Sequence, residues 1–335
     1  MKKFLKISPL IYSALVLLIL ITDGKTAASG AAEGVKLCIG SVIPSLFPFI
    51  TFSYILNSAL SNISVKKTSP VFRYFGIPKG CESLLFLGLL GGYPVGAQAV
   101  NDAYKAKRIT KPQGHRLMAF CNNAGPAFIF GVGSCLFYQK WLLWSLWGVH
   151  IASALTIALL LPKRKEEAVI LPKLSVITLP KALKKAIVTI ASVCGWVVLF
   201  RTLLALMESY IYPYISDSLR LSLSGGLELT NGFFCLLNGQ DIGLRFVFAS
   251  CFLGFGGVCV LLQTASVTTD LGLGLYFPGK IAQCAISYFL SAGIMSLRFK
   301  QIITHPFVTV LFVILLLVCV IFLRKNSSIM DKNAV

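Results

Sequence analysis

The chain has 335 residues, 56% of them hydrophobic and only 13% charged, against about 25% charged in an ordinary soluble domain. Such a composition leaves too much apolar surface for a single core in water, so a soluble enzyme, a disulfide scaffold and a disordered tail are excluded; the class is polytopic membrane protein. The net charge of +19 would suggest nucleic acid in a soluble chain. Here the basic residues fall in links between apolar segments, where membrane orientation accounts for them, and no nucleic-acid partner is expected.

The first apolar stretch, residues 7–22, follows Lys2, Lys3 and Lys6. With the small residues of 26–32 behind it, it has the outline of a signal peptide, but the many spans that follow favour an uncleaved first span. Further apolar stretches cover 37–56, 84–100, 117–137, 141–161, 186–207, 221–237, 244–263, 281–297 and 307–323. Two are interrupted, 84–100 by Gly91-Gly92-Tyr93-Pro94-Val95-Gly96 and 221–237 by Gly225-Gly226 and Glu228-Leu229-Thr230-Asn231-Gly232. Breaks of this kind free backbone groups, which a membrane tolerates only inside protein or along a watery cavity. Both stretches are read as re-entrant hairpins, which leaves about eight spans.

With the N-terminus inside, the basic blocks 105–116 and 163–185 and the pair Arg324-Lys325 all lie in the cytosol, while Arg298 and Lys300 lie outside. That distribution follows the positive-inside rule. The organisation is therefore a first transmembrane helix (1–30), a first repeat (31–162), a basic cytosolic linker (163–185), a second repeat (186–300) and a last transmembrane helix with its tail (301–335). The ten cysteines include no CxxC pair and mostly lie in apolar segments; neither a metal site nor a disulfide framework is supported, and no cofactor is expected.

The two halves align on sparse landmarks. Ser41-Val42 and Phe49-Ile50-Thr51 match Ser192-Val193 and Phe200-Arg201-Thr202. Gly96 matches Gly232, and Cys121-Asn122-Asn123-Ala124-Gly125-Pro126 falls opposite Cys251-Phe252-Leu253-Gly254-Phe255-Gly256-Gly257. In the topology above, the span at 37 runs inward and its partner at 186 outward. An inverted repeat with helices broken at matched places points to the midplane site of a secondary transporter.

Polar groups buried in lipid need a partner or a purpose. The candidate substrate-binding residues are Gly92, Tyr93, Pro94 and Gly96 at the first break, Asn122 and Asn123 before Gly125-Pro126, and Glu228, Thr230 and Asn231 at the second break. Gly254, Gly256 and Gly257, leading to Gln263, form a fourth cluster. Arg201, a fixed cation within a span, has two equally open uses: receiving an anionic group or neutralising Glu228. Glu228 is read with a slight preference as structural or gating. Pro44 and Pro48 kink the span at 37–56. His150 reads first as a hydrogen-bonded core histidine and second as a proton relay. No HExxH, GxSxG, phosphate-cradling GxxxxGKS/T or paired intramembrane aspartates occur, so no enzyme is expected.

The strings Val42-Ile43-Pro44-Ser45-Leu46-Phe47-Pro48-Phe49, Gly91-Gly92-Tyr93-Pro94-Val95-Gly96-Ala97, Asn122-Asn123-Ala124-Gly125-Pro126-Ala127-Phe128-Ile129 and Gly226-Leu227-Glu228-Leu229-Thr230-Asn231-Gly232 resemble the sporulation integral membrane protein family YlbJ, also called SpoVV. That family is placed in the nucleoside-recognition, or gate, superfamily and is similar to concentrative nucleoside transporters. The resemblance covers most of the chain, from about residue 34 to 263 and on toward the C-terminus. It implies a mother-cell protein of the outer forespore membrane that passes dipicolinic acid toward the developing spore, with a second transporter in the inner forespore membrane as an open partner. The resemblance leaves the binding residues unassigned. A nucleoside carrier and a non-transporting morphogenetic scaffold are the alternatives.

Overall fold

The computed structural model describes residues 13–60, 70–162, 176–237, 241–299 and 306–332, and all regular structure among them is helical. A short helix α1 (Ser13–Thr22) leads into α2 (Gly24–Leu37), which Asp23 caps by accepting from the Thr26 amide at 3.2 Å. A single π turn (Cys38–Val42) joins α2 to α3 (Ile43–Leu60), so that Gly24–Leu60 forms a continuous rod of 37 residues, about 55 Å long at 1.5 Å per residue. Pro48 sits inside α3, and Ser45 Oγ donates to the Ser41 carbonyl at 2.6 Å beside the widened turn.

After α4 (Pro70–Tyr74), the helices α5 (Glu82–Leu90) and α6 (Val95–Lys105) fold back on each other. A Cβ on Gly96 would lie 3.0 Å from Gly88 Cα, so the pair closes at backbone contact distance. α7 (Lys111–Met118) opens with a capping box between Thr110 and Gln113. It is separated from α8 (Pro126–Gly131) by an unwound segment that carries Asn122 and Asn123. The stretch 117–137, read from sequence as one span, is therefore two short helices about a break. α9 (Lys140–Leu160) is an uninterrupted apolar helix.

The second half opens with α10 (Leu179–Tyr210), 32 residues long, which runs antiparallel to the rod formed by α2 and α3. Gly30 and Gly34 let them touch: a Cβ on Gly34 would sit 2.8 Å from Val198 Cα, the small-residue contact on which membrane helices rely. α11 (Asp217–Leu227) and α12 (Leu229–Cys235) form a second hairpin, with Gly225 and Gly232 in backbone contact as Gly88 and Gly96 are in the first. α13 (Ile242–Phe255) and α14 (Gly257–Val267) form a second broken helix. The break is at Gly256 and Gly257, whose φ values of 84° and 87° suit glycine alone. α15 (Tyr276–Phe299) packs on α9 and α13, and α16 (Pro306–Lys332) packs on α15.

The landmarks aligned in sequence thus coincide with paired structural events: a long helix, a glycine-closed hairpin and a broken helix in each half. Six helices among the described residues are long and apolar enough to cross a membrane, against the eight or so spans read from sequence. Of the difference, residues 7–12 of the first stretch lie outside the described residues, and 117–137 is unwound at its centre. Residues 163–175 of the basic linker also lie outside them.

Candidate functional site

Three cavities lie in line along the antiparallel pair of the α2–α3 rod and α10. At one end, about 340 Å³ is bounded by Tyr54 and Asn57 of α3, Lys181 and Lys185 of α10, and Ala99, Asp102 and Arg108 at the base of the first hairpin. In the middle, about 50 Å³ is bounded by Val42 and Leu46, by Val193 and Val197, and by both hairpin tips. At the far end, about 520 Å³ is bounded by Glu33, Lys36, Arg201 and Glu208, with Asn231, Phe234 and Cys235 of the second hairpin. The two hairpins therefore approach from opposite ends of α10 and meet at the small central cavity. It is by far the smallest of the three, so the pair narrows at the centre with a larger vestibule on either side.

All four interruptions reach this centre. Gly92, in the left-handed region at φ 76°, and Tyr93 come from the first tip, and Glu228 and Thr230 from the second. Ala124 and Gly125 come from the first broken helix, and Cys259, Val260 and Gln263 lie on the helix after Gly256. Tyr93 crosses from one half to the other by donating its hydroxyl to the Leu253 carbonyl at 3.2 Å. Of the residues singled out from sequence, Gly92, Tyr93, Glu228 and Thr230 line the central cavity. Pro94 and Gly96 do not, because Gly96 is used in closing the hairpin.

Asn122 and Asn123 lie behind the cavity wall and are fully buried. Asn122 accepts from the Ala97 amide at 3.2 Å, capping the first turn of α6, and donates to Thr264 Oγ1 at 2.9 Å. Asn123 donates to the Gly88 and Phe120 carbonyls at 2.9 and 2.7 Å. Each amide therefore satisfies backbone left free by a break, as buried polar groups must. His150 is a buried core histidine whose Nε2 accepts from the Ala124 amide at 3.0 Å.

Arg201 does not neutralise Glu228, the second of its two expected uses. It bonds Glu33 through Nη2 at 2.6 Å and Glu208 through Nη1 at 2.8 Å, in the outer vestibule together with Asn231. Glu228 instead caps α12: its carboxylate accepts from the Thr230 amide at 3.0 Å, and from the Asn231 amide and Nδ2 at 2.7 Å each. The reason is local, since a side chain three residues ahead of a helical N–H reaches it more easily than a cation on another helix.

Sequence reasoning missed Lys280. It sits in the second turn of α15 and is 1% exposed. Its Nζ donates to Gln283 Oε1 at 2.8 Å, Asn123 Oδ1 at 3.0 Å and Tyr93 Oη at 3.2 Å, and lies 5.1 Å from the centre of the Tyr93 ring. Among the described residues no carboxylate lies within ion-pair distance of it. Lying one position before the apolar run 281–297, it reads as an interfacial lysine. The signal that could have found it is the polar stripe Tyr276, Lys280, Gln283, Ser287 and Ser291, at helical spacing and wholly buried. A buried ammonium satisfied only by neutral acceptors is a strong anchor for an anion one side chain away from the cavity.

The chain is thus a polytopic helical membrane protein with paired broken helices around a central cavity. The chain is similar to the sporulation integral membrane protein YlbJ of Bacillus subtilis strain 168, with 24% identity over 322 residues, covering 78% of this chain and 76% of the relative. This match supports the YlbJ family, in agreement with the motif resemblance. No family model matches the chain, and no solved structure matches it.

Proposed function

We propose that the chain is a secondary transporter of a small aromatic dianion, dipicolinate, acting in sporulation at the outer forespore membrane. The observation that carries this reading is the three cavities in line along the rod–α10 pair, narrowed at the centre by two hairpin tips of opposite approach. Alternating access then consists of parting one hairpin from the pair at a time, with α5–α6 and α11–α12 as the re-entrant elements. In the open state Tyr93 swings from between Lys280 and the cavity, and the ammonium meets a carboxylate of the substrate. Gln263 and Thr230 offer neutral donors to the rest of the ligand. Glu228 keeps its three N–H donors and does not have to leave its cap. The relative's name places that protein in sporulation, which supports the same setting for this chain.

The test is uptake of labelled dipicolinate, with uridine in parallel, into vesicles carrying the purified protein. Saturable dipicolinate entry that uridine does not compete is the expected result. Uridine entry instead makes the chain a nucleoside carrier. Neither solute moving, in vesicles with correctly inserted protein, overturns transport in favour of a scaffold.

A further inference from the structure

Arg108 has no part in the central site, yet it is the most deeply buried basic group of the 340 Å³ vestibule, at 3% exposure. It follows α6 and donates one hydrogen bond, from Nη2 to the Gly80 carbonyl at 2.7 Å. Its Nε is buried without a partner, and among the described residues no carboxylate pairs with it. A guanidinium has five N–H donors in a planar fork, so most of its hydrogen-bonding capacity is unspent.

Two more cations share the cavity. Lys181 stands exposed on the first turns of α10. Lys185 lies one turn further in, bonded to Asp102 at 3.0 Å and poised 4.6 Å from the centre of the Tyr54 ring. Among the described residues, Asp102 is the one carboxylate on the lining. Among the described residues, three basic side chains against one acid, in a concave site within the size range of small-molecule pockets, concentrate positive potential where an anion would approach. The opposite vestibule lacks this excess, for its Lys36 and Arg201 face Glu33 and Glu208.

We propose that this vestibule is a binding site for a small, multiply charged anion of the dicarboxylate class, held by Arg108 with Lys181 and Lys185. A bidentate carboxylate or phosphate matches the free edge of Arg108. A second anionic group, a few ångströms away, reaches the lysines and competes with Asp102 for Lys185. Loss of the Asp102 contact frees the Lys185 ammonium from its place over Tyr54, so occupancy of the vestibule is coupled to the residue that joins α3, α6 and α10. The choice of pyridine-2,6-dicarboxylate as probe rests on the transport reading above; the site itself rests on the lining.

The experiment is equilibrium binding of labelled pyridine-2,6-dicarboxylate to the full chain in detergent, with inorganic phosphate and the uncharged pyridine-2,6-dicarboxamide as competitors. Arg108→Gln is expected to weaken binding at least tenfold, Arg108→Lys by less, and Lys181→Glu at least fivefold. Lys181 is exposed, so that variant tests the site even where Arg108→Gln fails to fold. The dicarboxamide should not compete. Phosphate competing as well as the dicarboxylate would make the ligand class phosphate, overturning the dicarboxylate assignment. Unchanged affinity in both Arg108→Gln and Lys181→Glu, or equal competition by the dicarboxamide, overturns the site. Arg108-dependent binding without uptake into vesicles removes the transport reading and leaves the site standing, whereas uptake whose half-saturation ignores Arg108→Gln does the reverse.

Discussion

Lys280 Nζ lies 3.0 Å from Asn123 Oδ1, tying the helix α15 to the unwound segment of the first half through an ammonium with no carboxylate beside it. Holding that charge in a buried site costs several kcal/mol of desolvation. Three hydrogen bonds at about 1.5–3 kcal/mol each offset it. Lys280→Met removes the cost and the bonds together, so stability is expected to change by no more than about 2 kcal/mol. Dipicolinate uptake should fall more than tenfold. A variant that transports normally would show that the charge serves packing alone. Thermal midpoints in detergent and vesicle uptake separate the two quantities.

The apolar helices and the two hairpin breaks were legible because both are local: apolar runs mark helices, and Gly91-Gly92-Tyr93-Pro94 cannot continue one. The stretches 117–137 and 244–263 were read as unbroken spans, and their unwinding before Gly125 and at Gly256-Gly257 shows only in the structure. The convergence of Tyr93 and Glu228 on one cavity could be read from the paired breaks. The roles of the amides could not, since Asn122 and Asn123 have the same composition and position as ligand groups, and only the tertiary structure shows them spent on Ala97 and Gly88. Lys280 was hidden for the complementary reason. Its burial is set by α9 and α13 packing around α15, which no window of hydropathy contains.

Gly232 and Gly226 differ by six positions and by sign of effect. A Cβ on Gly232 would collide with Gly225 Cα across the second hairpin, whereas nothing lies within 4 Å of one on Gly226. Gly232→Ala is therefore expected to force the hairpin apart and cost about 2–3 kcal/mol, the range of overpacked sites. Gly226→Ala, inside α11, should gain about 0.5–1 kcal/mol from helix propensity. The thermal midpoints of the two purified variants should move in opposite directions; equal shifts would show that the hairpin is not closed at this contact.

Asp270, in the connection between α14 and α15, is bonded by Lys105 Nζ at 2.8 Å and by Asn101 Nδ2 at 3.3 Å. The ammonium first, and the amide second, hold its carboxyl below the usual carboxylate range, and the same pair raises Lys105. A depressed acid contributes stability that is full above the unfolded value of about 3.9 and is lost as pH falls through the folded one. Asp270→Asn should thus lower the thermal midpoint at pH 7, and the difference from the native chain should shrink steadily as pH falls below about 3.9. A difference independent of pH would mean that the carboxylate's charge is not what holds the connection to α6.

Tyr54, on the lining of the Arg108 vestibule, ties the first hairpin to α10. Its hydroxyl donates to Gln98 Oε1 at 2.6 Å and shares a hydrogen bond with Thr189 Oγ1 at 2.7 Å, joining α3, α6 and α10 at the level between Lys185 and Val193. Tyr54→Phe keeps the ring and deletes both bonds, so Gln98 and Thr189 are left to find water. Water entering there favours the state in which the first hairpin parts from α10. Cys259, 1% exposed and on the lining of the central cavity, is a native reporter of that opening. Its alkylation by a small thiol reagent is expected to quicken at least threefold in Tyr54→Phe. Cys251 is buried on α13 away from that lining, and its rate should stay constant. Quickening at both cysteines would indicate general loosening, and no change at Cys259 would place the barrier elsewhere, leaving Tyr54 as a packing residue of the rod.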